Sequence, residues 1–283
     1  KKACRSARFL VFICIFAIRL CSWLRALESS PLTPLILDNG CAEPGAFFMQ
    51  ASKMKKESSF PPVKVAVMID GGFFIKRFNS LYNKDKHIPG DKVADFLYTM
   101  AMKHVGERNT LYRIFYYDCY PLDKKYHNPI SKRSVDFRHT EEYDFKMKMI
   151  NALKRKRKVA LRMGTLKDNG KWLIRPRVVK SLLEGKMGFT DLKDEDVYLD
   201  IRQKGIDMKI GVDIASLALK RFVDTIVLFS GDSDFVPAAK LARREGIDFI
   251  LDPMRANVEP LLFEHIDGIK SVTPQGKKEK GRH

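Results

Sequence analysis

Acidic residues follow two apolar segments of the chain, at positions where carboxylates can bind a metal ion. Asp70 comes directly after the apolar, β-branched run Val63–Ile69, and Asp232 and Asp234 follow Thr225–Phe229. Because open parallel α/β sheets bind ligands beyond the carboxyl ends of their strands, these acids are expected at one edge of a sheet. Clustered carboxylates repel one another unless a cation lies between them, and oxygen ligands suit Mg²⁺ or Mn²⁺. The pattern therefore indicates a metal site that can activate water against a phosphoryl group.

Each of these acids also has a purely structural interpretation. Asp232 or Asp234 can cap the helix predicted after it, and Asp70 can be a turn residue. An aspartate that closes a buried strand beside Gly71 and Gly72 is, however, a costly place for a charge without a partner. Both interpretations stay open on spacing alone.

Two further acids, Asp207 and Asp213, lie on a predicted helix from about residue 207 to 221. Asp207 opens this helix, where its charge complements the helix dipole without any further role. Asp213 is six residues on, about 240° around the helix, so that the two acids do not share a face. It lies next to the predicted buried stripe, and a half-buried aspartate needs a partner such as a metal ion, Lys204 or Lys209. The stripe comprises Met208, Val212, Ala215 and Leu219.

Strands and helices alternate along most of the chain. Helical periodicity spans Gly90–Val105, and Thr110–Tyr117 is predicted as the strand that follows it. Thr225–Phe229 and Ile247–Leu251 are predicted as two more buried strands, with a helix from about residue 234 to 244 between them. This order predicts right-handed crossovers and an α/β fold, with a mostly parallel sheet flanked by helices.

A basic segment interrupts the alternation between residues 124 and 158, where 12 Lys or Arg residues face 4 Asp or Glu. Phosphates attract such a segment without reading sequence, so we expect it to guide a nucleic-acid strand toward the acidic edge. Its last five residues, here called the basic run, are Lys154, Arg155, Lys156, Arg157 and Lys158. Four interleaved aromatic residues could stack on bases or form a small helical core. They are Tyr126, Phe137, Tyr143 and Phe145.

A hairpin is predicted after the basic run. Val159–Leu166 and Trp172–Val178 flank Asp168-Asn169-Gly170, a sequence typical of a tight turn. Residues 124–171 are therefore predicted as a basic insertion plus a hairpin.

Composition favours an anionic partner. Lys and Arg total 52 against 34 Asp and Glu, a formal net charge of +18, which suggests nucleic acid before an acidic membrane surface. The alternative is a basic but solvated surface.

Four of the five cysteines lie in the first 41 residues and none forms a CxxC pair, so a structural zinc site is not expected. Cys119 alone lies in the predicted domain, which suggests a reducing, cytoplasmic compartment.

The first 62 residues differ from the rest. The apolar run at residues 9–18 resembles a signal-peptide core but is too short to span a bilayer. Met54 precedes the first strand and is a candidate start, which would make the upstream stretch spurious or a remnant. We expect a disordered or spurious extension over 1–62, one domain over 63–275 without a membrane partner, and a disordered basic tail over 276–283.

Three segments together resemble the NYN domain in its bacterial LabA-like branch: IDGG at Ile69–Gly72, KGIDMKIGVDIA at Lys204–Ala215 and SGDSDFVPAAKLARREG at Ser230–Gly246. The last is long and specific, whereas IDGG alone is not. The resemblance covers most of 63–275. It implies a Rossmann-like sheet, similar to that of PIN nucleases, whose acidic edge binds Mg²⁺ or Mn²⁺ and hydrolyses RNA.

Matched by position, the resemblance implies a role for each acid. Asp70 corresponds to the first-strand acid, Asp207 and Asp213 to the middle acids, and Asp232 and Asp234 to the acids after a later strand. All five are then expected to bind metal, with Asp70, Asp207 and Asp232 catalytic.

Two other functions compete with this metal-dependent ribonuclease. A phosphatase of the haloacid-dehalogenase type also uses a first-strand aspartate, but it needs a second one where this chain has Gly72. A non-catalytic RNA-binding or regulatory module on a degenerate nuclease fold would use the same charges and aromatics. In its favour, many NYN relatives carry a polar Asn about three residues after the first acid, where this chain has Phe73.

Overall fold

The apolar run after residue 62 forms β1 (Lys64–Asp70), the central strand of a computed structural model that describes residues 61–84 and 87–274. β1 pairs in parallel with β2 (Thr110–Cys119) on one side and with β7 (Thr225–Phe229) on the other. Because both neighbours and the flanking helices cover it, β1 is buried from Val65 to Ile69. The predicted extension and tail lie outside the described residues, except for residues 61 and 62.

Seven strands form the main sheet in the order β6–β5–β2–β1–β7–β8–β9. The remaining members are β5 (Val159–Ile174), β6 (Val197–Lys204), β8 (Asp248–Leu251) and β9 (Gly268–Ile269). All neighbours are parallel except β5 and β6, which are antiparallel. The mostly parallel α/β sheet predicted from the sequence is thus confirmed. A separate antiparallel pair joins β3 (Lys125–His127) and β4 (Ser134–Asp136).

Helices cover both faces of the sheet. One face carries α1 (Gly71–Tyr82), α2 (Gly90–Val105) and α3 (Glu141–Lys154). The other carries α5 (Ile206–Leu219), α6 (Val236–Arg244) and α7 (Pro260–Phe263). A further helix, α4 (Pro176–Leu183), follows β5. Within the two described ranges, no helix has the length and apolar character that crossing a bilayer requires.

The predicted hairpin at Asp168–Gly170 is wrong. β5 continues through these residues to Ile174 and pairs along its second half with β6, with a bulge between Asp168 and Trp172. Gly170 has a φ of +64°, a left-handed conformation that serves a bulge as well as a turn. The sequence pattern did not reveal β6, the strand that supplies the partner.

The predicted buried stripe of α5 is also wrong. Met208, Val212 and Leu219 are 72%, 55% and 59% exposed. The buried side chains come from the alternative helical stripe, which comprises Ile206, Ile210, Ile214 and Leu217. Both stripes have helical spacing, and the packing of α5 on the sheet selects the β-branched one.

The predicted turn after β1 is a helix start instead. α1 begins at Gly71, directly after the strand, with Asp70 as its N-cap.

Candidate functional site

The pairing of β1 with β7 brings the first and last acidic segments to one edge of the sheet. Ile69 lies opposite Phe229, so Asp70 and Ser230 leave the sheet side by side. The ring of Phe73 lies against Gly231, with Cε2 3.1 Å from the position that a Cβ there would take. We call this place, beyond the last residues of β1, β2 and β7, the carboxyl edge.

Asp70 is a partly buried carboxylate at the carboxyl edge. As N-cap of α1, it accepts a hydrogen bond at Oδ1 from Phe73 N–H, 3.1 Å away. Burial first, and then the charges of Asp207 and Asp118, raise the pKa of Asp70 to about 6, against the lowering effect of this hydrogen bond. A nearby cation would favour its charged form.

Asp207 connects the first acidic segment with the last. It lies in the first turn of α5, after Gly205, whose φ of +79° turns the chain from β6 into the helix. Burial, together with the charges of Asp232 and Asp234, raises the pKa of Asp207. Because Asp70 in turn responds to Asp207, carboxylates from three distant segments interact electrostatically at the carboxyl edge.

Asp232 has the capping role that the sequence left open. Its Oδ1 accepts a hydrogen bond from Asp234 N–H at 3.0 Å, and its own N–H donates to the buried Ser230 Oγ at 3.2 Å. Both Asp232 and Asp234 are exposed. The cap occupies one carboxylate oxygen of Asp232, so capping and ligand binding are compatible.

The acids fit a divalent cation by chemistry rather than by preformed geometry. They offer oxygen ligands only, and the charges that raise the pKa of Asp70 and Asp207 are those that a cation would compensate. Among residues 61–84 and 87–274, however, no three His, Cys, Asp or Glu side chains lie close enough to hold a metal ion together. Binding of a metal ion would require rotation of the Asp207 and Asp232 side chains, which are exposed.

Asp213 has other partners. Its Oδ2 lies 3.0 Å from Arg162 Nε on β5 and accepts a hydrogen bond from Tyr117 OH on β2 at 2.9 Å. The half-buried aspartate therefore has a cationic partner, but this is neither Lys204 nor Lys209. Asp213 therefore pairs with residues of β2 and β5, and within the described ranges it does not contact the other four acids.

Sequence reasoning missed a fifth acid at the carboxyl edge, Asp118. It ends β2 beside Asp70, is 1% exposed, and accepts hydrogen bonds from Tyr116 OH at 3.0 Å and Cys119 N–H at 2.7 Å. Lys146 Nζ lies 3.1 Å from its Oδ1, and Gln203 Nε2 donates to the same oxygen at 3.2 Å. The signal was present, since Asp118 directly follows the predicted strand Thr110–Tyr117 just as Asp70 follows its own.

Gln203 links Asp118 to the surroundings of Asp70. The position that a Cβ of residue 72 would take lies 3.4 Å from Asp70 Oδ1 and 3.8 Å from Gln203 Oε1. Because Gly72 has no side chain, none stands between Asp70 Oδ1 and Gln203 Oε1 at this position of the carboxyl edge.

The basic run lies in the connection between α3 and β5. Because β5 runs parallel to β1 and β2, the end of the run, next to Val159, lies toward the amino ends of the strands. Lys156 pairs with Asp95 and Lys158 donates to the carbonyl of Leu111, whereas Lys154 Nζ lies 5.6 Å over the ring of Tyr120, just after β2. Within the described ranges, the run does not contact Asp70, Asp207, Asp232 or Asp234.

The four interleaved aromatic residues have different surroundings, in the buried core or at a cavity. Phe145 packs against the buried cluster under α2 and α3, as the small-core interpretation predicted. Tyr126 packs edge-on against Phe137, and its OH donates to Asp168. Phe137 and Tyr143 line a cavity beside the carboxyl edge.

Comparison with known proteins gives one family match, to the model of the NYN domain over residues 139–258. No curated protein matches the chain. A solved structure of a protein of unknown function from Vibrio parahaemolyticus is similar at 13% identity and a TM-score of 0.37, covering 76% of this chain and 96% of that one. The NYN match includes Asp207, Asp213, Asp232 and Asp234 but begins after Asp70. This part of the chain is therefore similar to the NYN domain.

Proposed function

We propose that the carboxyl edge is the active site of a metal-dependent ribonuclease. The observation that carries the proposal is the parallel pairing of β1 with β7, which brings Asp70 to the same edge of the sheet as the segment of Asp232 and Asp234. The raised pKa of Asp70 and of Asp207, in part from the neighbouring acids, supports it. The NYN match, whose family is one of nuclease-type ribonucleases, supports RNA as the substrate. The net charge of +18 favours the same polyanion.

Asp70, Asp207 and Asp232 are the residues that would hold Mg²⁺ or Mn²⁺, with Asp234 beside them. Such an ion, when bound, compensates charge on the phosphoryl group and lowers the pKa of water. Asp213 is left out of this set, because its Oδ2 pairs with the Arg162 cation and Tyr117 OH rather than with the other acids.

The chain's own groups prepare this site. Since the pKa of Asp70 is about 6, its carboxyl group exchanges a proton near neutral pH, and cation binding competes with that proton. Lys146 pairs with Asp118 and compensates its charge, so that Asp118 adds little to the repulsion between the acids and a phosphodiester.

The direct test is cleavage of a mixture of structured and single-stranded RNAs by the full chain, with Mg²⁺, Mn²⁺ or EDTA. Asp232→Asn should lower the rate by orders of magnitude, while its folding is preserved because Asn caps helices as well as Asp. Asp213→Asn is the matched control and should stay within a few-fold of wild type. Metal-dependent cleavage that is unchanged in Asp232→Asn would remove this site from the reaction.

A non-catalytic RNA-binding module is the second candidate. Two observations favour it: the missing preformed metal geometry among the described residues, and the Phe73 ring that fills the space beside Gly231. This candidate predicts RNA binding without cleavage at any divalent metal concentration, together with unchanged binding in Asp232→Asn.

The finer assignments belong to the same proposal. We assign the chain to the LabA-like branch on its three motifs and place the domain at residues 63–275. The buried, unpaired Cys119 supports a reducing, cytoplasmic location.

A further inference from the structure

A cavity of about 230 Å³ lies beside the carboxyl edge, between the start of α3 and the paired strands β5 and β6. Its walls combine two aromatic rings, Phe137 and Tyr143, with two aliphatic side chains, Leu166 and Ile201. Lys146 and Gln203 also line it. The cavity therefore combines apolar walls with polar groups, of which Lys146 and Gln203 contact Asp118.

This cavity is continuous with the candidate site. Lys146 Nζ and Gln203 Nε2 both contact Asp118 Oδ1, at 3.1 and 3.2 Å. Gln203 Oε1 and Asp70 Oδ1 flank Gly72, which has no side chain to separate them. A ligand with one end in the cavity would thus place its other end beside Asp70.

We propose that the cavity binds the base of one nucleotide in the RNA strand whose phosphate lies at the carboxyl edge. This inference rests on the proposed function and adds a base-specific subsite to it. A base can stack on Phe137 or Tyr143, because every base has an aromatic face. Lys146 stands where the attached phosphate needs a cation. The volume suits a single ring system rather than a drug-sized ligand.

The polar groups around the cavity select among the bases. Gln203 donates its amide N–H to Asp118, which leaves its Oε1, on the side of Gly72 and Asp70, as an acceptor for a base edge directed there. Glu142 adds a carboxylate, which is an acceptor only when charged. Two acceptors favour a base that carries an exocyclic amino group, as adenine, cytosine and guanine do. Uracil has no amino group and is expected to bind worst.

The test measures the binding of fluorescent homopolymeric oligonucleotides to the full chain by anisotropy, in EDTA so that no cleavage occurs. Wild type should bind oligo(A) or oligo(C) about tenfold or more tightly than oligo(U), the ratio expected for one stacked, hydrogen-bonded base. Leu166→Trp fills the cavity and Tyr143→Ala removes a wall, and each should bring the ratio close to one. Phe189→Ala changes an aromatic side chain that is 76% exposed and outside the cavity, so it should leave the ratio unchanged.

Circular dichroism and thermal unfolding first establish which of the two cavity variants is folded. An undiminished base preference in a folded variant, or no preference in wild type, overturns the inference. Because the readout is binding in EDTA, it does not depend on catalysis. If the protein cleaves RNA but shows no base preference, only the cavity proposal is wrong. If it shows a base preference but never cleaves RNA, only the ribonuclease proposal is wrong.

Discussion

Lys146 Nζ lies 3.1 Å from Asp118 Oδ1 and so joins α3 to the end of β2 at the carboxyl edge. The Asp118 side chain is almost completely excluded from solvent, and that of Lys146 is 16% exposed. Hydrogen bonds from Tyr116 OH, Cys119 N–H and Gln203 Nε2 satisfy the other lone pairs. A buried carboxylate beside two further acids is tolerated because it has this cation and these donors.

The first prediction is that Lys146→Met destabilises the fold by about 3 kcal/mol, since it leaves Asp118 as a buried charge without a counterion. Urea unfolding measures the loss. Lys148→Met is the matched control, because Lys148 pairs with Asp144 on the surface of the same helix and should cost less than about 1 kcal/mol. Equal losses in the two variants would show that Lys146 does not compensate Asp118.

The second prediction concerns the pH dependence of stability. Burial first, and then Asp207 and Asp118, raise the pKa of Asp70 from its usual 3.8 to about 6. Between these values the folded state binds the proton more tightly than the unfolded state. The contribution of Asp70 is thus fully present below pH 3.8 and is lost as the pH rises through about 6.

Asp70→Asn should remove this component, because the amide is neutral at every pH and still caps α1. The measurement is the free energy of unfolding in urea at pH 4 and pH 7.5, with EDTA present. Wild type should lose more stability than the variant between the two pH values. Parallel pH profiles would mean that the carboxyl group of Asp70 does not titrate with a raised pKa.

The end of an apolar run was the most informative signal in the sequence. Asp70 and Asp232 were found because each follows a run that is buried on both sides, and such runs lie in the centre of a parallel sheet. Asp118 obeys the same rule, but aromatic residues rather than glycines surround it in the sequence. Its partners, Lys146 and Gln203, come from segments whose proximity only the tertiary structure reveals.

Local patterns failed where two solutions had equal periodicity. The two apolar stripes of α5 both have helical spacing, and contact with β1 and β2 decides in favour of the one containing Ile210 and Ile214. Gly170 suits a hairpin turn and a bulge equally well, and the choice depends on β6, an edge strand with an exposed, charged end. In both cases contacts between residues distant in sequence decide which structure forms.

The third prediction contrasts two glycines. A Cβ at Gly71 would lie 2.7 Å from both Tyr116 Oη and the backbone oxygen of Tyr117, which cannot move aside without disturbing β2. Gly71→Ala should therefore destabilise the protein by about 1–3 kcal/mol. A Cβ at Gly211 in α5 would meet no heavy atom within 4 Å, so Gly211→Ala should stabilise it by about 0.5–1 kcal/mol. Thermal unfolding should give shifts of opposite sign, and shifts of the same sign would contradict the close approach of α1 to β2.

The last prediction concerns the basic run, whose first residue, Lys154, lies over Tyr120 just after β2 and whose end precedes β5. Lys154, Arg155 and Arg157 are exposed, whereas Lys156 is engaged with Asp95. Replacing these three exposed residues with Gln should weaken binding of long RNA and flatten its logarithmic salt dependence by about 2, since each single-strand phosphate contact contributes about 0.7. Cleavage of a dinucleotide should change least, because β5 pairs with β2 over six residues, about 20 Å, and so short a strand at the carboxyl edge does not extend to the start of β5.

The control for this prediction removes the same charge elsewhere, at Lys180, Lys186 and Lys193, which are exposed on or after α4. If the run is an RNA track, its variant loses affinity for long RNA while the control variant keeps most of it. If the two variants lose affinity and salt dependence equally, RNA responds to the overall charge of +18 rather than to the basic run. Binding titrations at several salt concentrations, with long and short RNAs in parallel, distinguish these outcomes.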